Sequence, residues 1–147
     1  MKLSTRTRYG TRALLELALR KDEGPVFLKE IAKQQAISLA YLEQLVSPLV
    51  GAGILRSTKG PRGGVSLAKK PEHIHLGEVT RLLEGTTAPV ECISNPEVCD
   101  RAASCVTRDV WSQLNDVIDE FLQSKTLQDL VEDQIKKDQS ESSMYFI

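Results

Sequence analysis

Apolar residues recur at helical spacing over the first twenty positions. Tyr9, Ala13, Leu14, Leu17 and Ala18 share one side, and Arg6, Arg8, Arg12 and Arg20 decorate the others. This predicts a helix over residues 5–21, ended by Gly24-Pro25. A shorter helix is expected over 28–34, with Leu28, Ile31 and Ala32 inward. After a break at Gln35-Ala36-Ile37, Ser38 is a good N-cap, because its hydroxyl can accept from an unpaired first-turn N–H. The third helix then carries Leu42, Leu45, Val46 and Leu49 inward and closes at Gly51 or Gly53. Pro48 falls inside it, where the missing N–H should kink it.

Two β-prone runs, 54–58 and 65–68, flank Lys59-Gly60-Pro61-Arg62-Gly63-Gly64 and predict a hairpin with a cationic tip. Pro71 opens a connector with His73 and His75, both expected to be surface or capping residues, and a fourth helix is expected over 76–84. Residues 86–104 show no apolar period. A long helix then begins near Val106 or Thr107, with Val106, Val110, Leu114, Val117, Ile118 and Phe121 in a stripe extended by Trp111 and Leu122. So small a domain has little core to cover that stripe, so homodimerisation is expected. Thr126-Leu127-Gln128-Asp129 reads as a helix start with a capping acid, continued by Leu130, Val131 and Ile135. From Lys136 to Ser143 the chain is polar and expected to fray, and Met144-Tyr145-Phe146-Ile147 is an apolar end that docks or disorders.

The expected fold is mainly α with a small β-hairpin wing, a winged helix-turn-helix with a long C-terminal dimerisation helix. Its parts are a DNA-binding domain (1–85), a cysteine-containing loop (86–105), the dimerisation helix with a short helix after it (106–137), and a tail (138–147).

Charge sharpens this picture. Residues 1–70 hold 13 Lys+Arg and 5 Asp+Glu, a net of +8; residues 71–147 hold 6 and 15, a net of −9. A basic half suits a polyanion and an acidic half is repelled by one, so nucleic acid is the leading partner. With no apolar run near the ~20 residues of a membrane span, and no apolar leader after Met1, a cytoplasmic protein is expected. A phosphate-binding glycine loop, a nucleophile–base pair and convergent carboxylates are all missing from the pattern, which argues against an enzyme.

In a helix-turn-helix the N-terminal residues of the second helix meet base edges in the major groove. Here these are Ser38, Leu39, Ala40, Tyr41, Glu43 and Gln44. Gln44 can bond adenine in a bidentate manner, Glu43 can accept from cytosine N4, and Tyr41 can reach a phosphate or a thymine methyl. Solvated Glu43 and Gln44 with a half-core Tyr41 are the plain alternative. Lys59 and Arg62 on the narrow tip suit a minor groove or flanking phosphates.

The cysteines, Cys92, Cys99 and Cys105, are spaced C-x6-C-x5-C. Structural zinc commonly takes four ligands with closer pairs, whereas iron–sulfur clusters are held mainly by thiolates, sometimes with another ligand. An iron–sulfur site leads on spacing; zinc, a thiol switch and incidental cysteines stay open.

The segments Met1-Lys2-Leu3-Ser4-Thr5…Arg8-Tyr9-Gly10, Tyr41-Leu42-Glu43-Gln44-Leu45 and Lys59-Gly60-Pro61-Arg62-Gly63-Gly64 resemble the Rrf2 family of winged-helix regulators, of the IscR, NsrR and CymR types. The likeness extends over nearly the whole chain. It implies a homodimer on an imperfect palindrome of double-stranded DNA, with the third helix in the major groove and the wing, Ser57 to Arg62 with Gly60 and Pro61, in the minor groove. It also implies that Cys92, Cys99 and Cys105 hold an iron–sulfur cluster, taken as 2Fe–2S, which sets operator affinity. The chain departs from the family at candidate fourth-ligand positions. Arg108 stands where IscR-like proteins use a histidine, and Arg8 where NsrR-like ones use an aspartate of the partner's first helix. Asp100, Asp109, Thr107 and Glu91 are the remaining oxygen donors. The Val46-Ser47-Pro48-Leu49 segment and the Met-aromatic-Ile ending are shared with CymR-like proteins, which lack the cysteines. The alternative implied there is a regulator of cysteine metabolism answering to a metabolic-enzyme partner or to thiol oxidation.

Overall fold

The structure, a computed structural model, describes residues 2–145. In chain order it holds α1 (Thr5–Leu19), α2 (Leu28–Gln35), α3 (Leu39–Gly51), β1 (Leu55–Thr58), β2 (Gly64–Leu67), α4 (Leu76–Glu84), α5 (Glu91–Ser94), α6 (Val106–Ser124) and α7 (Leu127–Tyr145). Single 3-10 turns lie at Lys21–Glu23, Pro71–His73 and Pro96–Val98. The architecture is the mostly helical one expected, with one antiparallel hairpin.

One core joins the first 85 residues to α7. Leu14 and Leu17 of α1, Ile31 of α2, Leu42 and Leu49 of α3, Val65 of the hairpin, Val79 and Leu83 of α4 and Leu127 of α7 meet in it. Each such buried aliphatic side chain contributes on the order of 2 kcal/mol by leaving water. The four inward positions expected of α3 are all buried. Tyr9 lies outside this core and packs edge-on against Tyr41, with ring centroids 6.3 Å apart.

The α2–α3 turn is a Schellman motif. Ile37 N–H donates to the Ala32 carbonyl (3.0 Å) and Ala36 N–H to Lys33 (3.2 Å), with Ala36 left-handed at φ 54° and ψ 44°. Ser38 then caps α3 as expected, its Oγ accepting from Tyr41 N–H at 3.1 Å. Helix α3 runs on for three residues past Pro48.

Two stretches differ from expectation. The region before the last cysteine contains the short α5 and the Pro96–Val98 turn, each closed by local bonds such as Asn95 N–H to the Glu91 carbonyl, 2.9 Å. Helix α7 does not end near residue 137 but continues to Tyr145. Nothing between Lys136 and Ser143 breaks a helix, and polar pairs such as Gln134 Nε2 to Asp138 Oδ1 (2.8 Å) support the exposed turns. Its start is the expected box. Thr126 N–H donates to Asp129 Oδ2 (2.9 Å), and Asp129 N–H to Thr126 Oγ1 (3.2 Å). The expected apolar ending falls partly on Phe146 and Ile147, which lie outside the described residues.

Helix α6 is tied to the N-terminal unit at its C-terminal end. Leu76 N–H donates to the Lys125 carbonyl and Leu127 N–H to that of Ile74, both at 2.8 Å, and His75 Nδ1 lies 2.8 Å from the Gln123 carbonyl. Helix α6 has no buried residue; Val106 is 75% exposed and Val117 62%. None of the described helices is long and apolar enough to cross a membrane.

The N-terminus of α1 is closed from far along the chain. Glu84 Oε1 accepts from Ser4 N–H (2.7 Å) and Ser4 Oγ (2.8 Å). Burial alone would raise this carboxyl, but the nearby Thr7 hydroxyl, then the Ser4 hydroxyl and amide, with the Arg6 charge near, outweigh it and hold Glu84 below the ordinary Glu value. A folded-state value below the unfolded one means that the ionised group stabilises the fold above the unfolded value, and that this is lost as pH falls through the folded one. Glu84→Gln is expected to lower stability by about 1–2 kcal/mol at neutral pH, with the gap to wild type closing below pH 4.5; chemical denaturation across pH measures it. Ala36→Gly is expected to raise the melting temperature by relieving a left-handed alanine, a gain of about 1 kcal/mol; an unchanged or lower melting point would refute that strain.

Candidate nucleic-acid interface and cysteine loop

The N-terminal turn of α3 presents the residues singled out for base reading. Ser38, Leu39, Ala40, Glu43 and Gln44 are exposed, and among the described residues no ion pair engages Glu43. Tyr41 is half-buried. Its hydroxyl donates to Thr5 Oγ1 at 3.0 Å, and its ring meets Tyr9, over which Arg12 sits 5.3 Å from the centroid. Tyr41 therefore joins the recognition helix to α1. Thr5 and Tyr9 are contributors that sequence reasoning missed; the signal was two tyrosines flanking polar helix starts, which does not specify a contact across 36 residues.

The hairpin pairs Leu55 with Leu67, Arg56 with Ser66, Ser57 with Val65 and Thr58 with Gly64. Its base is fixed to the core by reciprocal backbone bonds between Val26 and Val65, 2.9 and 2.8 Å. Two glycines are required where the tip returns. A Cβ on Gly63 would run into the Thr58 carbonyl, and one on Gly64, at φ 139°, into the Val26 carbonyl. Lys59, Gly60, Pro61 and Arg62 are thus held out in solvent on a rigid stem. The described ion pairs gather on Arg20, with Glu16, Glu23 and Glu30, and on Lys69 with Glu78, so no described carboxylate neutralises the tip cations.

Cys92 lies on α5 and is half-buried; Cys99 follows the Pro96–Val98 turn and is exposed; Cys105 immediately precedes α6 and is half-buried. All three are free thiols. Thr107 Oγ1 is 3.2 Å from Cys105 Sγ; the Thr107 hydroxyl and then the Arg108 amide hold this thiol below its ordinary value. Arg108 Nε donates to the Cys92 carbonyl at 3.1 Å, a bond the spacing did not reveal. His73 is exposed, and His75 Nδ1 is engaged by the Gln123 carbonyl. Among the described residues no three Cys, His, Asp or Glu side chains are gathered as a metal site. The donor chemistry fits an iron–sulfur cluster, with three soft, unpaired, solvent-reachable thiols on one segment. Convergence of all three would require the turns of 91–105 to close up.

A helix-turn-helix followed by a hairpin docked on the same core, with unpaired cations at its tip, is a winged-helix DNA-binding protein. The Rrf2 family model, described as an iron-dependent transcriptional regulator, matches residues 3–133. The chain belongs to the Rrf2 family. It is 46% identical over 133 residues to the protein rrf2 of Nitratidesulfovibrio vulgaris, covering 90% of this chain and 89% of that one. It superimposes on the structure of CymR (YrzC), the global cysteine regulator of B. subtilis, with a TM-score of 0.75 and 41% identity, covering 90% of this chain and 97% of that one. The T. potens IscR structure gives a TM-score of 0.75 at 38% identity, covering 91% and 88%. The chain is accordingly a transcriptional regulator and not an enzyme.

Replacing Lys59 and Arg62 with alanine is expected to weaken binding to every duplex alike. The salt dependence of log K is expected to flatten by about 0.9 for each phosphate no longer neutralised. Glu43→Ala is expected to relax preference at one base position with little change in that slope. Binding isotherms at several salt concentrations, on an operator and on random duplex, separate the two effects.

Proposed function

We propose that the protein is a homodimeric, DNA-binding regulator whose operator affinity is set by an iron–sulfur cluster, of 2Fe–2S type, held by Cys92, Cys99 and Cys105. The observation that carries this reading is the position of three free thiols on one segment between the winged-helix unit and the first turn of α6. The exposed stripe of Val106, Val110, Trp111, Leu114, Val117 and Phe121 supports pairing of two copies through α6. Such a dimer presents two recognition helices and two wings to an imperfect palindrome, with Ser38, Leu39, Tyr41, Glu43 and Gln44 in the major groove. Ser57, Lys59, Gly60, Pro61 and Arg62 then lie at the minor groove.

When bound, a thiolate-held cluster supplies a redox-active centre that depends on iron and sulfide supply. The remaining work belongs to this chain's residues. Holding a cluster on Cys92, Cys99 and Cys105 would require the 91–99 turns to shift relative to the N-terminal turns of α6. Thr87, whose hydroxyl donates to Asp119 Oδ1 at 2.8 Å, ties the same segment to the middle of α6. Helix α6 in turn is joined to the connector after the wing through Gln123 and Lys125. The DNA-bound population shifts only as far as the loop's two arrangements differ in free energy between bound and free protein.

A second reading has a specific observation in its favour. Cys99 is exposed and Cys105 half-exposed without a gathered site, and the CymR structure is as similar as the IscR one. On this reading the signal is thiol oxidation or a metabolic-enzyme partner. Protein purified without oxygen is expected to be coloured, with stoichiometric iron and sulfide, and the Cys92→Ala, Cys99→Ala and Cys105→Ala variants are expected to lose the chromophore. Colourless protein after anaerobic reconstitution would instead leave DNA binding intact and move the signal to the thiols or a partner.

A further inference from the structure

Arg108 touches the surroundings of all three cysteines. Its Nε donates to the Cys92 carbonyl at 3.1 Å, it lines the same surface concavity as Cys99, and it stands in the first turn of α6, three residues after Cys105. It is half-buried, whereas Arg101 on the same segment is exposed. Glu97 and Asp100 also border that concavity, but neither is within ion-pair distance of the guanidinium among the described residues. A guanidinium has five N–H donors, no acceptor and a permanent charge, so it cannot ligate a metal. With Nε spent on the Cys92 carbonyl, its other N–H groups remain available to sulfur acceptors, and hydrogen bonds and net charge at the sulfurs set the potential of thiolate-held iron.

We propose that Arg108 is the positioning residue of the cysteine loop. It braces the backbone of Cys92 against the helix that starts after Cys105, and it sets one fixed cation beside the three thiols. The brace is a property of the protein without metal; the charge effect rests on the cluster reading above. Two variants separate them. Arg108→Ala removes both, and Arg108→Lys keeps the charge but loses the planar Nε–H donor.

The deciding experiment is amide hydrogen exchange on metal-free protein, followed by anaerobic reconstitution of the same samples with ferrous iron and sulfide. Arg108→Ala is expected to speed exchange over residues 91–99 by about tenfold, the value of one charge-assisted hydrogen bond, leaving α1–α4 unchanged. Arg108→Lys is expected to show the same fast exchange. After reconstitution, Arg108→Ala is expected to have a more negative reduction potential than wild type, and Arg108→Lys one restored toward it. Unchanged exchange in Arg108→Ala overturns the brace, and an unchanged potential overturns the charge effect. Should wild-type protein take up neither iron nor sulfide, the cluster reading fails and the charge effect with it, while the exchange result still decides the brace.

Discussion

Helix α4 packs between α1 and α6 with no clearance on either side, and the relation of the DNA-reading unit to the cysteine loop depends on it. At Gly10 of α1 the absence of a side chain admits Leu83; a Cβ there would overlap its Cδ1. At Gly77 of α4 a Cβ would sit 2.6 Å from Gln123 Oε1 and 3.2 Å from the Gln123 backbone nitrogen. The backbone bonds of Leu76 to Lys125 and Leu127 to Ile74 then lock the α6–α7 corner onto the connector that follows the wing. Helix α6 therefore leaves the N-terminal unit at a fixed angle, and its 19 residues place its other end on the order of 28 Å away.

That geometry separates two electrostatic regimes. The net of +8 over residues 1–70 is concentrated on the unit that carries α3 and the wing, while the net of −9 over 71–147 falls mainly on α6, α7 and the loop between α4 and α6. A duplex is drawn to the first and repelled by the second, so the field alone orients the molecule before any base is read. The same division leaves α6 with acidic flanks around an exposed apolar stripe, a surface that suits apolar contact and not DNA.

The features legible in the sequence are those fixed by short-range rules. The Ser38 cap, the inward face of α3, the Thr126–Asp129 box and the paired glycines of the wing each follow from a few neighbouring residues and one steric or hydrogen-bonding requirement. The missed features depend on contacts between distant segments or on marginal propensity. Nothing near Glu84 announces that it closes the start of α1 80 residues away, and Tyr41 reads as a free contact until Thr5 is seen to accept its hydroxyl. The extension of α7 past residue 137 turns on weak polar pairs whose sum is hard to judge by pattern. Arg108 stood out in the sequence only as a departure from a ligand position, because its bond to Cys92 depends on how α5 folds back.

The two ends of α6 differ in how firmly they are held, and this difference bears on regulation. At Gln123–Leu127 two backbone bonds, a histidine contact and a fully buried Leu127 fix the chain. At the cysteine end, α5, the Pro96–Val98 turn and the first turns of α6 contribute no buried residue at all, and the side-chain link there is the Arg108 bond to the Cys92 carbonyl. Segments with little buried surface open at low free-energy cost, while the body they attach to stays folded. A ligand held by the thiols thus needs only a modest difference in affinity to rearrange the loop. On the regulation proposed above, the tight packing of α4 would carry a change at the α6 N-terminus toward the wing as movement of a rigid element, not as local melting. A looser fit at Gly77 would keep the cysteines and the recognition helix intact and yet disconnect them.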